Sequence, residues 1–133
     1  MKKRYYIDTS VFGGYFDQEF ADTTKKLFSE IQKEDTVILY SEMTESELNE
    51  APESVKNFVK GLPSKNIEFL EINPETINLA DKYIEENVVG KTSREDCTHI
   101  ALATIFRADV LISWNFKHIV NLRRIQGYNA VNL

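Results

Sequence analysis

Four oxygen-bearing side chains sit where regular elements of this chain should begin or end: Asp8, Glu47, Asp96 and Asn115. Asp8 follows the run Tyr5-Tyr6-Ile7 and precedes Thr9-Ser10. That puts a carboxylate at the carboxyl end of a first strand, where open α/β sheets usually take their ligands. Carboxylates and amide carbonyls are the hard donors that magnesium and manganese prefer. An ion held by such donors can activate water and neutralise charge on a phosphate undergoing in-line displacement.

Each of the four also has a plain structural reading. Asp8-Thr9-Ser10 suits an Asx-type turn. Glu47 stands three residues after Thr44, and Asp96 three after Ser93, so both fit capping boxes and both gain from a helix dipole. Asn115 alone is an ordinary turn residue. Residue types and spacing leave both readings open.

The elements that must position these groups alternate. Strands are expected at 4–8, 36–40, 67–72, 110–113 and 128–132, from short β-rich or fully apolar runs. Helical spacing of Phe20, Ala21, Thr24, Leu27, Phe28 and Ile31 predicts a helix over about 19–33, after an irregular segment at Gly13-Gly14. A further helix begins near Thr44 and breaks at Pro52; the next carries Val55, Phe58, Val59 and Leu62 and stops at Gly61 and Pro63. Asn73-Pro74 opens a helix carrying Ile77, Ala80, Ile84 and Val88, which Gly90 ends. Ser93 caps another helix reaching Arg107, and a short one spans 116–125. This alternation predicts an α/β three-layer sandwich with a mainly parallel central sheet.

With 133 residues, the chain suits one domain, and 42% hydrophobic against 28% charged residues is a globular balance. No run approaches the roughly eighteen apolar residues of a membrane helix. The one cysteine, Cys97, excludes an internal disulfide, and the expected location is cytoplasmic. A net charge of −5 argues against a general basic coat for nucleic acid. Residues 110–133 nevertheless hold Lys117, Arg123 and Arg124 and no acid, a local strip able to meet a phosphate backbone.

At four stretches the chain resembles the PIN-domain family, including VapC-type toxins of bacterial toxin–antitoxin pairs: 5–12 (YYIDTSVF), 41–48 (SEMTESEL), 94–103 (REDCTHIALA) and 108–119 (ADVLISWNFKHI). The resemblance spans nearly the whole chain and implies a single PIN-like domain over 1–133. It implies a magnesium- or manganese-dependent ribonuclease with Asp8 as central metal ligand. Glu47 is then the second acid, on metal or water, and Asp96 the third. Ser113 falls where the family often has Thr or Ser, implying a hydrogen bond to the first acid, with Thr9 beside it. An RNA substrate, an antitoxin partner and a homodimer are also implied. The chain departs from the fullest pattern at Asn115, where an acid often stands; an amide can ligate but brings no charge.

Other groups offer chemistry of their own. Lys117 and His118 could meet substrate phosphates or form a solvated helix start. Cys97 and His99 are two apart on a helix, so their side chains diverge by roughly 200° and a nucleophilic pair is disfavoured. His99 shares the Asp96 face, as a cleft residue or a satisfied structural one. Trp114 could stack on a base or pack beside a strand end. Leu48, Val55, Phe58 and Val59 read as core or as a partner groove. Two rivals stand beside the ribonuclease: a catalytically weakened PIN-like RNA- or protein-binding module, motivated by Asn115, and a receiver-like phosphotransfer domain.

Overall fold

A computed structural model describes residues 2–86 and 94–114. Four strands, β1 (Arg4–Ile7), β2 (Val37–Ser41), β3 (Ile67–Leu70) and β4 (Val110–Ile112), form a parallel sheet among the described residues, in the order β3-β2-β1-β4. From β1 the chain moves to β2 and β3 on one side and returns to β4 on the other. The carboxyl end of β1 is therefore a topological switch point, with the helical connections diverging around it. Asp8 is the next residue after β1.

Alternation along the strands feeds two cores. Ile7 and Ile38 join Val11, Phe12, Phe28, Ile31, Leu48 and Val55 on one face. That face is covered by α1 (Thr9–Gly14), α2 (Ala21–Lys33), α3 (Glu42–Leu48) and α4 (Glu53–Lys60). Tyr6, Leu39 and Leu70 face the other way, against Leu102 and Ala103 of α6 (Arg94–Ile105). Here α5 (Pro74–Glu85) packs along α6 through Leu79, Ala80, Tyr83, Cys97, Ile100 and Ala101. The result is the expected three-layer arrangement. Seven consecutive residues of α6, Cys97 to Ala103, are buried. A helix enclosed on all sides this way has no polar face to show solvent.

Three local departures bear on the site. The Gly13-Gly14 segment expected to be irregular ends a short helix, α1, that starts immediately after Asp8. Gly14 is needed there: a Cβ would lie 2.6 Å from the Trp114 ring and 2.9 Å from Thr24 Oγ1. Helix α3 begins at Glu42, because Ser41 is its N-cap and accepts from the Thr44 amide at 3.1 Å. And β3 stops at Leu70; the Ile72 amide donates to Glu42 Oε1 (2.9 Å) instead of extending the strand. At α5 the Asn73–Pro74 start is as expected, with Asn73 and Thr76 capping each other reciprocally. Val88, Gly90 and Ser93, the helix over 116–125 and the strand over 128–132 lie outside the described residues.

Candidate metal centre

Asp8 is 3% exposed and works in two directions. Its Oδ2 accepts from the Ser10 amide (3.3 Å), the Ser10 hydroxyl (2.7 Å) and the Ser113 hydroxyl (2.9 Å). Asp8 is thus the N-cap of α1, as an Asx-type reading expects, and is tied to the end of β4 as well. With Oδ2 held, Oδ1 faces inward, 3.1 Å from His99 Nε2. One carboxylate oxygen anchors the residue and the other is presented.

The start of α3 at Glu42 removes the capping-box reading of Glu47. Thr44 is not the N-cap, and Glu47 stands in the last turn, next to Leu48, the final residue of the helix. Its Oε1 accepts from Thr9 Oγ1 (2.8 Å) and meets His99 Nε2 at 2.5 Å. Burial pushes the Glu47 carboxyl upward, but the hydrogen bond and charge of His99 and the bond from Thr9 outweigh it, leaving it below the usual carboxylate range.

His99, expected as a cleft residue or a satisfied structural one, meets both acids. Its side chain is 1% exposed, and Nδ1 lies 2.6 Å from the Tyr6 hydroxyl. Tyr6 continues to Ser41 Oγ at 2.7 Å, and Ser41 to Thr44 Oγ1 at 3.1 Å. Burial, chiefly, holds the Tyr6 hydroxyl well above the ordinary phenol range, so it stays protonated. One ligating atom each from Asp8, Glu47 and His99 lies within 4.8 Å of the others, a group able to hold a metal ion.

Asp96 stands outside that group, half-buried in the first turn of α6 and one turn before His99. Neighbouring Cys97 packs with Leu79, Ala80 and Tyr83, away from His99's partners, so no Cys–His pair forms. Burial first, then the Asp96 charge, pushes its thiol up to about 11, against an opposing effect of Arg94. Trp114 is packed: its ring stacks on Phe20 with centroids 5.8 Å apart, and Nε1 donates to Thr24 Oγ1 at 2.9 Å. Leu48 and Val55 are buried in the core. Asn115, Lys117 and His118 lie outside the described residues.

Sequence reasoning reached Asp8, Glu47, Thr9 and Ser113 but passed over Ser10, Tyr6 and Ser41. Strand alternation was the available signal for Tyr6, since it places that side chain on the α6 face. For His99, its position one helical turn from Asp96 gave the shared face but not its partners Tyr6 and Glu47.

No protein-family model matches the sequence, and no curated protein matches it either. Among solved structures, the fold is similar to VapC20 of Mycobacterium tuberculosis, a toxin that cleaves the sarcin–ricin loop. The TM-score is 0.68 at 10% sequence identity, covering 87% of this chain and 93% of that one. The architecture is that of a VapC-like PIN fold.

Proposed function

We propose, starting from this VapC-like PIN fold, that the chain is an endoribonuclease dependent on magnesium or manganese and the toxin of a type II toxin–antitoxin pair. The observation that carries the reading is the convergence of Asp8, Glu47 and His99 at the carboxyl edge of the sheet, at its switch point. Asp8, Glu47, Asp96 and Asn115 are the proposed metal-binding and catalytic residues, with Lys117 and His118 on the substrate phosphates. A divalent ion bound there supplies Lewis-acid activation of water and neutralises charge at the scissile phosphate.

The chain's own residues prepare that chemistry. Ser10 and Ser113 fix the Asp8 rotamer so that Oδ1 is offered to the site. Glu47, with its carboxyl below the usual range, is ionised at neutral pH. A carboxylate ionised at neutral pH can serve as an anionic ligand or a water-orienting acceptor. Thr9 holds Glu47 from the residue adjoining Asp8, so the two acids are positioned by one tripeptide. No helix among the described residues is long and apolar enough to cross a membrane. A cytoplasmic location, an RNA substrate, an antitoxin partner and a homodimer complete the reading.

Cleavage of RNA by the metal-stripped protein, with and without added manganese, tests it for wild type, Glu47→Gln and Asp96→Asn. Manganese-dependent cleavage lost in both variants is expected; equal rates in all three refute it. The binding-module alternative is favoured by Asn115, which leaves one acid fewer than the fullest pattern. It predicts RNA binding without cleavage.

A further inference from the structure

His99 Nε2 has one lone pair or one proton to offer, yet two carboxylates converge on it, Glu47 Oε1 at 2.5 Å and Asp8 Oδ1 at 3.1 Å. A structural histidine needs one partner on each nitrogen, and this one has two acids on the same nitrogen. Good hydrogen-bond geometry to both at once is unavailable to a single N–H. A shared cation removes the conflict, because all three atoms then direct lone pairs at it. Neighbouring donors around an ion with bonds of about 2.1 Å are separated by about 3 Å; Asp8 Oδ1 and His99 Nε2 stand at that separation, and Glu47 Oε1 reaches it by a shift of about half an ångström.

The far side of the ring has the partner a ligand needs. Metal-bound histidines commonly place their second nitrogen on an outer hydrogen-bonding group that fixes tautomer and orientation. Here that group is the Tyr6 hydroxyl, 2.6 Å from Nδ1 and itself 2.7 Å from Ser41 Oγ. A hydroxyl both donates and accepts. Tyr6 can therefore donate to a bare Nδ1 when Nε2 carries the proton, or accept from Nδ1–H when Nε2 is a ligand, with its own O–H then donated as a hydrogen bond to Ser41 Oγ.

We infer that His99 is a nitrogen ligand to the ion held by Asp8 and Glu47, positioned by Tyr6, and that the site therefore selects borderline ions such as cobalt or zinc over magnesium. Imidazole suits zinc and neighbouring transition metals, whereas magnesium keeps to oxygen donors. The inference rests on the proposed metal site but not on ribonuclease activity.

The metal-stripped full chain is titrated calorimetrically with cobalt(II) and separately with magnesium, with the visible cobalt spectrum recorded. Wild type is expected to prefer cobalt. His99→Gln exchanges nitrogen for oxygen, and should lower the cobalt-to-magnesium affinity ratio at least tenfold and change the spectrum. Tyr6→Phe, which keeps the ligand and removes its positioning hydroxyl, should lose about 10–100-fold in cobalt affinity. Circular dichroism reports whether the variants fold. Should either not, nitrogen NMR of the otherwise native chain decides the matter: His118→Gln leaves His99 as the one histidine, and zinc must shift its Nε2 resonance. An unchanged affinity ratio and spectrum in His99→Gln, tighter cobalt binding in it, or an unmoved Nε2 resonance overturns the inference. Absence of RNA cleavage with every metal would instead overturn the proposed function, and the titrations would still report on His99.

Discussion

Ser113→Ala removes one hydroxyl, from the residue where β4 hands the chain toward the site. Asp8 Oδ2 then loses its 2.9 Å bond from Ser113 and keeps those from the Ser10 amide and hydroxyl. A hydrogen bond to a charged group contributes about 1.5–3 kcal/mol net. Because two donors remain and the cavity left is smaller than a methyl group, the low end applies, about 1.5 kcal/mol. At about 4 °C per kcal/mol for a chain of this size, that lowers Tm by about 6 °C. The functional loss should be larger than the structural one. Asp8 gains rotamer freedom, and loss of an outer hydrogen bond to a ligand typically costs about 10–100-fold in metal affinity. Thermal melts and calorimetric manganese titration of wild type, Ser113→Ala and Ser113→Thr measure both. Threonine keeps the hydroxyl and should retain manganese affinity within about threefold of wild type, well inside the loss expected of alanine. Manganese affinity of Ser113→Ala equal to wild type, or of Ser113→Thr as weak as alanine's, would refute the reasoning.

Gly14→Ala sets a methyl 2.6 Å from the Trp114 ring, so overpacking should destabilise the fold by about 1–3 kcal/mol in denaturant titration. An unchanged midpoint would mean that Trp114 moves freely. The Cys97 thiol, pushed up to about 11 and fully buried, should react with a disulfide reagent at pH 8 far more slowly in the native chain than in denaturant. Rapid native labelling contradicts that placement. Glu47 titrates lower in the folded chain than its unfolded value of 4.5, so its contribution is fully present above pH 4.5 and is lost as pH falls through the lower folded value. Chemical denaturation from pH 6 to 3 should therefore show a shallower acid loss in Glu47→Gln than in wild type; parallel curves would dismiss the linkage.

The parts of the fold set by local pattern are legible in the sequence. Tyr5-Tyr6-Ile7, the β-rich run ending at Tyr40, and Asn73-Pro74 each announce their element through alternation or capping chemistry. What escaped were features decided at a distance. Thr44 and Glu47 have capping-box spacing, but Ser41 takes the N-cap position, and only that frees Glu47 to meet Thr9 and His99. His99 sits in a helix buried on all sides, where periodicity carries no sign of which side chain faces which neighbour. Its partners Tyr6 and Glu47 are 93 and 52 residues away in sequence, beyond any local signal. The short helix after Asp8 was hidden by two poor helix formers, Gly13 and Gly14, the second of which is required by the close approach of Trp114.

The central claim is that Asp8 presents Oδ1 to a catalytic divalent ion, and Asp8→Asn tests it most directly. Asparagine is an equally good N-cap and can keep its carbonyl oxygen on Ser10 and Ser113, so the fold should stand. It then offers a neutral amide where the ligand oxygen was. Manganese-dependent RNA cleavage, measured beside circular dichroism and a melt, should be abolished with the fold retained. Cleavage at the wild-type rate by folded Asp8→Asn would contradict the account.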